Sequence, residues 1–589
     1  MLTVRRAALP PARPDARKCT RAGHTGEGPA RLARGLTRAR PLSDGTGQDA
    51  AAGSGPVARR GRLGVSRHHW GTIVVPALLA ALVLLSAAPP ASASAAAPGA
   101  GFADRARAVG SLVLERMATT DDRTPPRRYA YYTVGDLWKY CGADGWAAGF
   151  VPGGLWSCYQ LTGAASWRDR ALKREAAIGR QEVSAASLNL GGLFFPSFVR
   201  GFTLTGDRAL RMTALRAARA MAGRYNPVVG AMQSRAGDRF NVIIDSLMKS
   251  QLLWWAARNG GDPALADIAT QHALTIARDF VRDDGSTWHH VYYDTTTGQV
   301  TERVAGSAYS VDSTWARGQA WAILGFSAAY RATGDERFLE AARKVTDWYL
   351  ADVPDDGVPY WDFGDPAIPD APRDSSAAAI AASGMVDLSL TDPSQSRRAT
   401  YLAAARSILS DLMSPAYLSL GADPAVLLHG TYSHSMGVVD CGLAYGDAFF
   451  LEALLRLRRT DPGVAALRVA AARADKGDPT GAVDGDLDTC WTSRGRSSLD
   501  LRLSGTRSVG AVRVALAGGD RRAAVLRVFV SDDGRSWTPV LRTETSGETA
   551  GFETLDFPST PAHWVRITCD GTTTGPVNRI SETQVLPPL

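Results

Sequence analysis

Cysteine is scarce in this sequence, with six in 589 residues. Five lie beyond the first hundred residues: Cys141, Cys158, Cys441, Cys490 and Cys569. This odd number, with no Cys-x-x-Cys and no His-x-x-x-His pair, speaks against a structural zinc site. Cys490 and Cys569 fall in one short C-terminal segment, so an exported chain would be expected to pair them as a disulfide, with ordinary buried thiols as the alternative.

The body of the chain also lacks an excess of positive charge. The formal net charge is +8, but the first 70 residues hold 14 Lys and Arg against 4 Asp and Glu, so the remainder carries a net charge of −2. The basic pI of about 9.2 therefore belongs to the N-terminal segment. Nothing in the body indicates a nucleic-acid-binding face, and no nucleic-acid partner is expected.

Long apolar runs are missing except for one. Residues 72–88, "TIVVPALLAALVLLSAA", follow a basic stretch at 67–69 and precede a segment rich in Ala and Ser. Seventeen residues are short for a membrane span, which needs about 20, and no stop-transfer charges follow. The pattern predicts a signal peptide that is cleaved near residues 93–97, within a leader that covers residues 1–97. The residues ahead of the signal peptide are unusual for one, so Val65 is a more reasonable translation start than Met1. The mature protein is expected to be secreted, without a stable membrane span.

Helical periodicity is abundant. Six Gly or Asp turns, at positions 163, 206, 261, 334, 392 and 461, are each followed by apolar residues at helical spacing, and they lie 43 to 73 residues apart. Each interval accommodates two helices and a loop, so the pattern predicts six helical hairpins over 98–465, in a closed α/α toroid or a solenoid. The longest interval, from 261 to 334, carries an aromatic-rich insertion where a functional site is expected.

The period changes from 3.6 to 2 near residue 470. Leu499, Leu501 and Leu503 alternate with polar residues, and "VRVAL" and "LRVFV" repeat the pattern. Short alternating segments separated by turns predict a β-sandwich over 470–589. From these patterns alone, the expected fold is an all-α toroid or solenoid followed by a β-sandwich.

Aromatic and charged residues gather in the loops of the helical region. Trp146, His289, Trp315, Arg317 and Trp321 lie in such loops or beside them. Aromatic faces with one cation and a few hydrogen-bonding groups are typical of a saccharide site, because apolar sugar faces stack on rings and a uronate carboxylate pairs with a charged donor. The alternative is that these tryptophans belong to the core of the toroid.

Several of these segments carry a family resemblance. In order, "GWAAGFVPGGLW", "VIIDSLM", "STWARGQAWAILGF", "GVPYWDF", "DSSAAAIAASG" and "LLHGTY…GDAFFLEALL" resemble glycoside hydrolase family 88, the unsaturated glucuronyl hydrolases, over roughly 105–460. The resemblance implies an (α/α)6 barrel with its site in the mouth. It also implies hydration of the C4=C5 enol ether that a polysaccharide lyase leaves on a terminal uronic acid. No cofactor is expected for this reaction.

The resemblance assigns a role to Asp245 in "FNVIIDSLMKS". This residue matches the general acid/base of the family, so Ile243 and Ile244 would bring it to the inner rim of the barrel. Desolvation there is expected to raise its pKa toward that of a working acid. The structural alternative is a solvated helix edge on which Asp245 pairs with Lys249 at i+4.

Further positions follow from the same resemblance. Arg317 is expected near the uronate or a neighbouring sugar, Trp315 and Trp321 as walls, and His289 as a polar contact to the unsaturated ring. Trp146 and His429 complete the predicted substrate-binding set.

Three positions depart from the family pattern. At the positions of Leu188 and Asn189 the family usually has His-Asp, so Asn189 keeps a hydrogen-bonding shape at a catalytic position but loses the second carboxylate. Arg235 stands where the family has Trp, and Ser307 where it has Gln. These departures imply either a shifted substrate or weakened chemistry.

The C-terminal segments "AVDGDLDTCWTS", "VFVSDDGRSWTPV" and "WVRITCDG" resemble discoidin modules (coagulation factor 5/8 type C), which overlap carbohydrate-binding module family 32. The resemblance implies a β-sandwich of jelly-roll type that binds a polysaccharide or other glycan. It also implies a structural Ca²⁺ held by Asp484, Thr489 and Glu582, with a metal-free acidic turn as the alternative.

Two other functions fit the same sequence. One is a secreted, non-catalytic glycan-binding protein in which the barrel has lost its second acid. The other is a different (α/α)6-barrel polysaccharide hydrolase or lyase. An inverting hydrolase needs two carboxylates about 6.5–9.5 Å apart, and the sequence offers one convincing acid.

Overall fold

The computed structural model describes residues 102–183, 189–458, 466–519, 521–545, 547 and 551–588. The predicted leader and Leu188 lie outside these residues. The chain divides into two units, Met1–Ser86 and Ala87–Leu589, and all described residues belong to the second. Within the described part, no helix combines the length and the apolar content that a bilayer crossing requires.

An inner ring of helices is buried on nearly all sides. Helix α12, for example, is rich in Ala, Ser and Gly and almost completely buried, because small residues let neighbouring helices approach closely. A Cβ on Gly384 would lie 2.8 Å from the backbone of Leu324 on the next inner helix. The inner helices are α2 (Phe150–Thr162), α4 (Leu190–Phe194) continued by a π-helical turn (Phe195–Val199) and α5 (Arg200–Thr205), α7 (Ser246–Lys249) with α8 (Gln251–Arg258), α10 (Ala316–Thr333), α12 (Ser375–Thr391) and α14 (Ala444–Arg458).

An outer ring surrounds the inner one, and its helices bury one face only. In α6, Leu210, Ala214 and Met221 face inward, and arginines occupy the remaining surface. Asp207 caps this helix by accepting the N–H of Ala209 at 2.7 Å. The outer helices are α1 (Phe102–Arg123), α3 (Ala165–Ile178), α6 (Arg208–Ala222), α9 (Ala264–Phe280), α11 (Glu336–Asp352) and α13 (Gln395–Leu412), and short 3₁₀ turns lie at Gly179–Gln181, His434–Met436 and Thr480–Ala482.

The ring closes through the two ends of the helical region. Helix α14 packs against α2, and α1 lies between α13 and α3. Arg105 of α1 donates to Ser410 at 2.9 Å, and Arg174 of α3 donates to Asp121 of α1 at 2.5 Å. The predicted (α/α)6 barrel is therefore confirmed, with α1 as the outer partner of α14.

This closure corrects one detail of the predicted repeat. The turn at position 461 was expected to begin a helix, but residues 459–465 lie outside the described residues and Val469–Ala474 form strand β8. The Ala-rich sequence suits a helix locally. Antiparallel pairing with strand β10 (Ser497–Leu516), which places Leu501 opposite Ala472, overrides that preference.

In the described part of the barrel domain, seven short strands lie between the helices, so this domain is not purely helical. Strands β5, β6 and β7 form a three-stranded antiparallel sheet in which Ile243 pairs with His290. This pairing brings the segment before Asp245 beside the segment that contains His289. The strands are β1 (Tyr129–Val134), β2 (Leu137–Cys141), β3 (Tyr225–Asn226), β4 (Ala231–Met232), β5 (Phe240–Ile243), β6 (His290–Tyr293) and β7 (Val300–Val304).

The C-terminal domain is the predicted β-sandwich. Its two longest strands, β10 and β13, pair along most of their length, with register shifts after Arg502 and after Val509. The first half of β10 pairs with β8 and the second half with β14, so the two long strands contribute to both layers. The strands are β8, β9 (Trp491–Arg494), β10 (Ser497–Leu516), β11 (Ala524–Ser531), β12 (Thr538–Glu544), β13 (Phe552–Thr572) and β14 (Val577–Leu586).

The expected disulfide between Cys490 and Cys569 does not form, and both are free thiols. Cys490 directly precedes β9, whereas Cys569 lies on β13. Strands β10 and β14 stand between β9 and β13 in the sheet order β12-β11-β13-β10-β14-β9. The buried-thiol alternative therefore holds for Cys569, and Cys490 is half-buried.

The sandwich contacts the barrel at the C-terminal ends of inner helices. Gly163 ends α2 in the left-handed conformation, with φ +71°, and a Cβ there would lie 1.7 Å from the backbone oxygen of Ser559 on β13. Strand β12 contacts α5 in the same region. Gly163 is therefore required both by the helix end and by the neighbouring domain.

A pair of glycine substitutions separates these two requirements. Gly206 ends α5 with the same φ of +71° but has open space where an added methyl group would lie, so Gly206→Ala should cost only the left-handed strain of about 1–2 kcal/mol. Gly163→Ala should lower the free energy of unfolding by clearly more, because its methyl group also clashes with Ser559. Chemical denaturation of both variants checks this, and equal losses would show that the sandwich does not rest on Gly163.

Candidate active site

The cavity of interest lies where the inner helices begin. Trp146 precedes α2, Asn189 precedes α4, Asp245 precedes α7 and Trp315 precedes α10, so four helix starts converge on one end of the barrel. The cavity has a volume of about 400 Å³, and the residues that line it are Trp146, Asn189, Ser234, Arg235, Ala236, Ile243, Asp245, Lys249, His289, Ser307, Trp315, Arg317, Tyr432, Ser433 and Met436.

Asp245 stands between a strand and a helix. Strand β5 ends at Ile243, the N–H of Ile244 donates to the carbonyl of His289 at 3.0 Å, and α7 begins at Ser246. The side chain of Asp245 is 16% exposed and its Oδ2 lies 3.6 Å from Nε2 of His289. Among the described residues, this oxygen has no conventional hydrogen-bond partner. The structure thus places a largely buried carboxylate in the cavity wall.

The charge state of Asp245 differs from the sequence-based expectation. Desolvation alone raises its pKa, as expected, but the interaction with His289 and the positive charge of Lys249 outweigh burial and lower the pKa to about 2. The expected upward shift is therefore wrong for this conformation. The lowered pKa favours the ionised form of Asp245 at neutral pH, because His289 from a distant segment and Lys249 from the adjoining helix stabilise the carboxylate.

Two backbone groups orient the ring of His289. Nδ1 lies 2.8 Å from the backbone N–H of Ser307 and 3.2 Å from the carbonyl oxygen of Ala305, which turns Nε2 toward Asp245. Gly306 permits this contact, since a Cβ there would lie 2.0 Å from Nδ1.

Lys249 is buried in the cavity wall, which the sequence did not predict. It is 4% exposed and lines the same cavity as Asp245, so the solvated helix edge considered for this pair is wrong. Its Nζ donates to Oδ1 of Asn189 at 3.4 Å. Gly191 allows this approach, since a Cβ there would lie 2.3 Å from the carbonyl oxygen of Lys249.

Arg317 is held by the protein on several sides. Its Nη1 donates to Asp374 at 2.5 Å and to the carbonyl of Thr431 at 2.6 Å, and its Nη2 donates to the carbonyl of Tyr432 at 2.9 Å. Its side chain is 4% exposed and that of Asp374 is completely buried. Arg317 therefore braces the cavity wall, which was not expected from the sequence, and its predicted contact with a uronate stays a prediction.

The other predicted residues divide into two groups. Four of them line the cavity: Trp146, Asn189, His289 and Trp315. Arg235 and Ser307 line it too, so the three described departures from the family pattern, at positions 189, 235 and 307, all face one pocket. Trp321 and His429 do not line it.

The two exceptions have clear physical reasons. Trp321 is fully buried and packs edge-on against Phe449 at 5.3 Å between ring centroids. It is therefore a core residue, and the prediction that it forms a wall of the substrate site is wrong. His429 instead pairs with Asp440, with Nδ1 and Oδ1 2.5 Å apart, and is 42% exposed. Tyr432 and Met436, which line the cavity, were missed because they come from a loop without a chemical signature.

The predicted calcium residues lie together in the sandwich domain. Thr489 donates to Asp484 at 2.8 Å, and the N–H of Gly485 donates to Glu582 at 2.5 Å. The second oxygen of Glu582 accepts the N–H of Thr583 at 2.9 Å. In the described ranges, no three His, Cys, Asp or Glu side chains are grouped as metal ligands. Carboxylate and hydroxyl oxygens are the donors that Ca²⁺ prefers, but this site offers few negative charges. A bound ion would also have to displace the hydrogen bond from Gly485 to Glu582.

The barrel resembles proteins of known activity. Over 321 residues the chain is 36% identical to an unsaturated glucuronyl hydrolase of Formosa agariphila, covering 53% of this chain and 79% of that protein. It is 35% identical over 325 residues to the unsaturated glucuronyl hydrolase of Bacillus sp. strain GL1, covering 53% and 86%. An unsaturated chondroitin disaccharide hydrolase of Streptococcus pyogenes is 35% identical over 328 residues, covering 53% and 80%.

Solved structures agree with these matches for the barrel, and a family model matches the sandwich. An unsaturated glucuronyl hydrolase specific for heparin superposes with a TM-score of 0.59 at 29% identity, covering 61% of this chain and 98% of that one. The enzyme from Bacillus sp. GL1 superposes with a TM-score of 0.56 at 30% identity, covering 61% and 96%. Residues 468–583 match the F5/8 type C domain, which confirms the discoidin-like sandwich.

Two arginines of the same cavity allow a test of the brace. Arg317→Met leaves Asp374 as an unpaired buried charge, so the free energy of unfolding should fall by about 3–5 kcal/mol. Arg235→Met is the control, because Arg235 is exposed at the cavity rim and its loss should change stability by less than about 0.5 kcal/mol. Denaturant unfolding measures both, and similar values for the two variants would contradict a bracing role for Arg317.

Proposed function

This chain belongs to the unsaturated glucuronyl hydrolases, a family of glycoside hydrolases, and from that premise we propose that it releases a terminal unsaturated uronic acid from lyase-generated oligosaccharides. The reaction is the addition of water across the C4=C5 enol ether of that sugar. Its substrate is a short oligosaccharide whose non-reducing end carries a carboxylate and a double bond.

The composition of the cavity supports this substrate class. Trp146 and Trp315 offer aromatic faces, and Arg235 and Lys249 offer positive charge. Stacking on rings and pairing of the uronate with a cation are the interactions that such a sugar requires. A volume of about 400 Å³ suits one or two sugar rings.

The observation that carries the proposal is the single acid of the cavity. Among the described lining residues, Asp245 is the one carboxylate. An inverting hydrolase needs a second carboxylate about 6.5–9.5 Å away and a retaining one needs it at about 5–5.5 Å. Hydration of an enol ether needs neither, because the double bond itself accepts the proton and no glycosidic oxygen is protonated directly. This favours hydration over the other barrel hydrolases.

Asp245 is proposed as the catalytic carboxylate. A proton added at C4 leaves positive charge shared between C5 and the ring oxygen. Water then adds at C5 and gives up a proton to a base, and an ionised Asp245 suits this step. The resulting hemiketal opens and the neighbouring sugar is released. Asn189, at the second family position, hydrogen-bonds Lys249 and has no carboxylate with which to share the proton transfers.

Export and glycan attachment complete the proposal. The apolar run at 72–88, followed by small residues, supports secretion of the mature protein. The discoidin-like sandwich supports binding of a polysaccharide or other glycan, which would hold the barrel near polymers that lyases are degrading. A glycan-binding role alone, without catalysis, is disfavoured by membership of an enzyme family.

The activity is tested with lyase-generated unsaturated disaccharides, by following the loss of the enol-ether absorbance. Asp245→Asn keeps the size of the side chain but removes the proton-transfer group, so kcat should fall roughly 10²–10⁴-fold. Asp440→Asn is the control, because Asp440 pairs with His429 outside the cavity, and it should keep full activity. Near-normal turnover by Asp245→Asn would remove this residue from the mechanism.

Calcium is proposed only as a structural ion of the sandwich, held by Asp484, Thr489 and Glu582. Since the site holds few charges, affinity should be in the millimolar range typical of extracellular modules, about 10⁻⁴–10⁻³ M. Millimolar Ca²⁺ should raise the melting temperature of the whole protein relative to Mg²⁺, and Glu582→Gln should abolish the rise. An unchanged melting temperature would leave the metal-free turn as the correct account.

A further inference from the structure

Arg235 lines the same cavity as Asp245, but the proton transfers of the hydration reaction do not involve it. It is an exposed residue in the loop between strands β4 and β5. Its backbone N–H donates to Oδ1 of Asn241 at 3.2 Å, and Nδ2 of Asn241 donates to its backbone carbonyl at 3.1 Å. Asn241 is itself buried. The long side chain of Arg235 therefore extends from a fixed point at the cavity rim.

The guanidinium of Arg235 is left unpaired by the protein. Among the residues that the structure describes, it makes no ion pair and no side-chain hydrogen bond. Arg239, at the end of the same loop, provides the contrast. It pairs with Glu302 at 2.5 Å, and its guanidinium lies 3.9 Å from the ring centre of Tyr292. Of the two loop arginines, the one that faces the cavity is the one available to a ligand.

The other two cations of the described lining already have counter-ions. Arg317 is paired with the buried carboxylate of Asp374 at 2.5 Å. Lys249 and Asp245 line the cavity at the start of α7, and each stabilises the charged form of the other. Arg235 is thus the cation of this lining whose charge the described residues leave uncompensated.

Arg235 also lies close enough to Lys249 for the two charges to repel. Burial lowers the pKa of Lys249, Asp245 opposes this shift, and the positive charge of Arg235 lowers the pKa further. Like charges that converge on one cavity destabilise each other, and an anion bound beside them relieves that repulsion. The empty cavity is therefore electrostatically prepared for negative charge.

The departures from the family pattern change the cavity in one direction. Asn189 replaces an Asp, so the cavity loses one negative charge, and Arg235 replaces a Trp, so it gains one positive charge. Ser307 replaces the longer Gln and leaves more room in the same cavity. Every unsaturated uronide brings the same single carboxylate, so that carboxylate does not account for the added positive charge.

The uronate carboxylate also has a donor of its own. Arg317 lines the cavity, and the Nε–H of Arg317 is buried without a hydrogen-bond partner among the described residues. This N–H is available to the uronate, in agreement with the contact that the family resemblance predicts for Arg317. Arg235 is then left for another anionic group of the substrate.

We propose that Arg235 is a specificity-determining residue: it binds a second anionic group of the substrate, a sulfate ester or a second carboxylate, and so selects unsaturated disaccharides that carry more than one negative charge. Both groups present pairs of oxygen atoms to the fork of N–H donors on the guanidinium. This proposal rests on the hydration reaction proposed above and narrows its substrate class.

The test compares lyase-generated unsaturated disaccharides that differ in charge. The second sugar is neutral in one, carries a sulfate ester in another and is a uronic acid in a third, and a fourth has a sulfate ester on the unsaturated ring. A hydrogen-bonded charge pair contributes a factor of roughly 10–100 in kcat/KM. The wild type should prefer at least one doubly charged disaccharide to the neutral one by this factor, and the preferred one identifies the group.

Substitutions in one loop assign the preference to Arg235. Arg235→Met should lose it through a higher KM for the doubly charged disaccharide, with kcat little changed, because the contact is made equally in the ground state and the transition state. Arg235→Trp, which restores the family residue, should lose it too. Arg239→Met is the matched control, because Arg239 pairs with Glu302 and does not line the cavity, and it should keep the wild-type preference.

Ionic strength gives a second readout, which altered packing would not change. Between about 0.01 M and 1 M salt the Debye length falls from about 30 Å to about 3 Å. Because Arg235 is exposed, its attraction for the second anion is screened over this range, so the preference of the wild type should shrink as salt is added. The kcat/KM of Arg235→Met for the same disaccharide should depend less on salt.

The outcomes separate this proposal from the proposed function. If the wild type turns over no unsaturated disaccharide, both are overturned. If it turns over neutral and doubly charged disaccharides equally well, the hydration reaction stands and the role of Arg235 falls. If Arg235→Met weakens turnover of all of them by the same factor, Arg235 binds the common uronate carboxylate and the proposal is wrong. A preference that Arg235→Met retains overturns it as well, whereas one that Arg235→Met loses and Arg239→Met keeps supports it.

Discussion

The buried ion pair of Arg317 and Asp374 fixes the geometry of the barrel mouth. Arg317 begins α10 and Asp374 caps α12, where its Oδ1 accepts the N–H of Ser376 at 3.1 Å. The same guanidinium binds the carbonyls of Thr431 and Tyr432, in the loop that leads to α14. Three adjacent inner-helix starts are thereby tied to one side chain. Because a buried ion pair has lost its hydration, it is stable only while its hydrogen-bond partners in the protein remain in place. The wall of the cavity is therefore rigid.

The helix ends and the strands could be predicted from the sequence because they depend on local residue preferences. Gly163, Gly206 and Gly334 were recognised as turns, and each ends an inner helix with φ near +70°, a conformation that glycine adopts without strain. The alternation of Leu499, Leu501 and Leu503 likewise placed β10. Closure by α1 was not visible, since the partner of α14 lies more than 300 residues earlier in the chain.

The interior of the site was harder to predict, because its charges come together from distant segments. Spacing alone paired Asp245 with Lys249 and suggested an exposed helix edge, but both side chains face the cavity. Desolvation was correctly expected at Asp245, yet His289, 44 positions later in the chain, reverses the direction of its pKa shift. Trp321 was assigned to the wall from the family resemblance, whereas the inner helix turns it into the core.

Asp245 and Lys249 depend on each other. Each is mostly withdrawn from water, and burial penalises the charged form of either one unless the other is charged too. A carboxylate at position 189 would have given Lys249 a second counter-ion and Asp245 a like-charged neighbour. With Asn189 in that place, Asp245 is the one carboxylate among the described lining residues, against two arginines and one lysine, so the lining carries an excess of positive charge. The sandwich contacts the opposite end of the inner helices, at Gly163, and none of the described residues that line the cavity at the mouth comes from the sandwich.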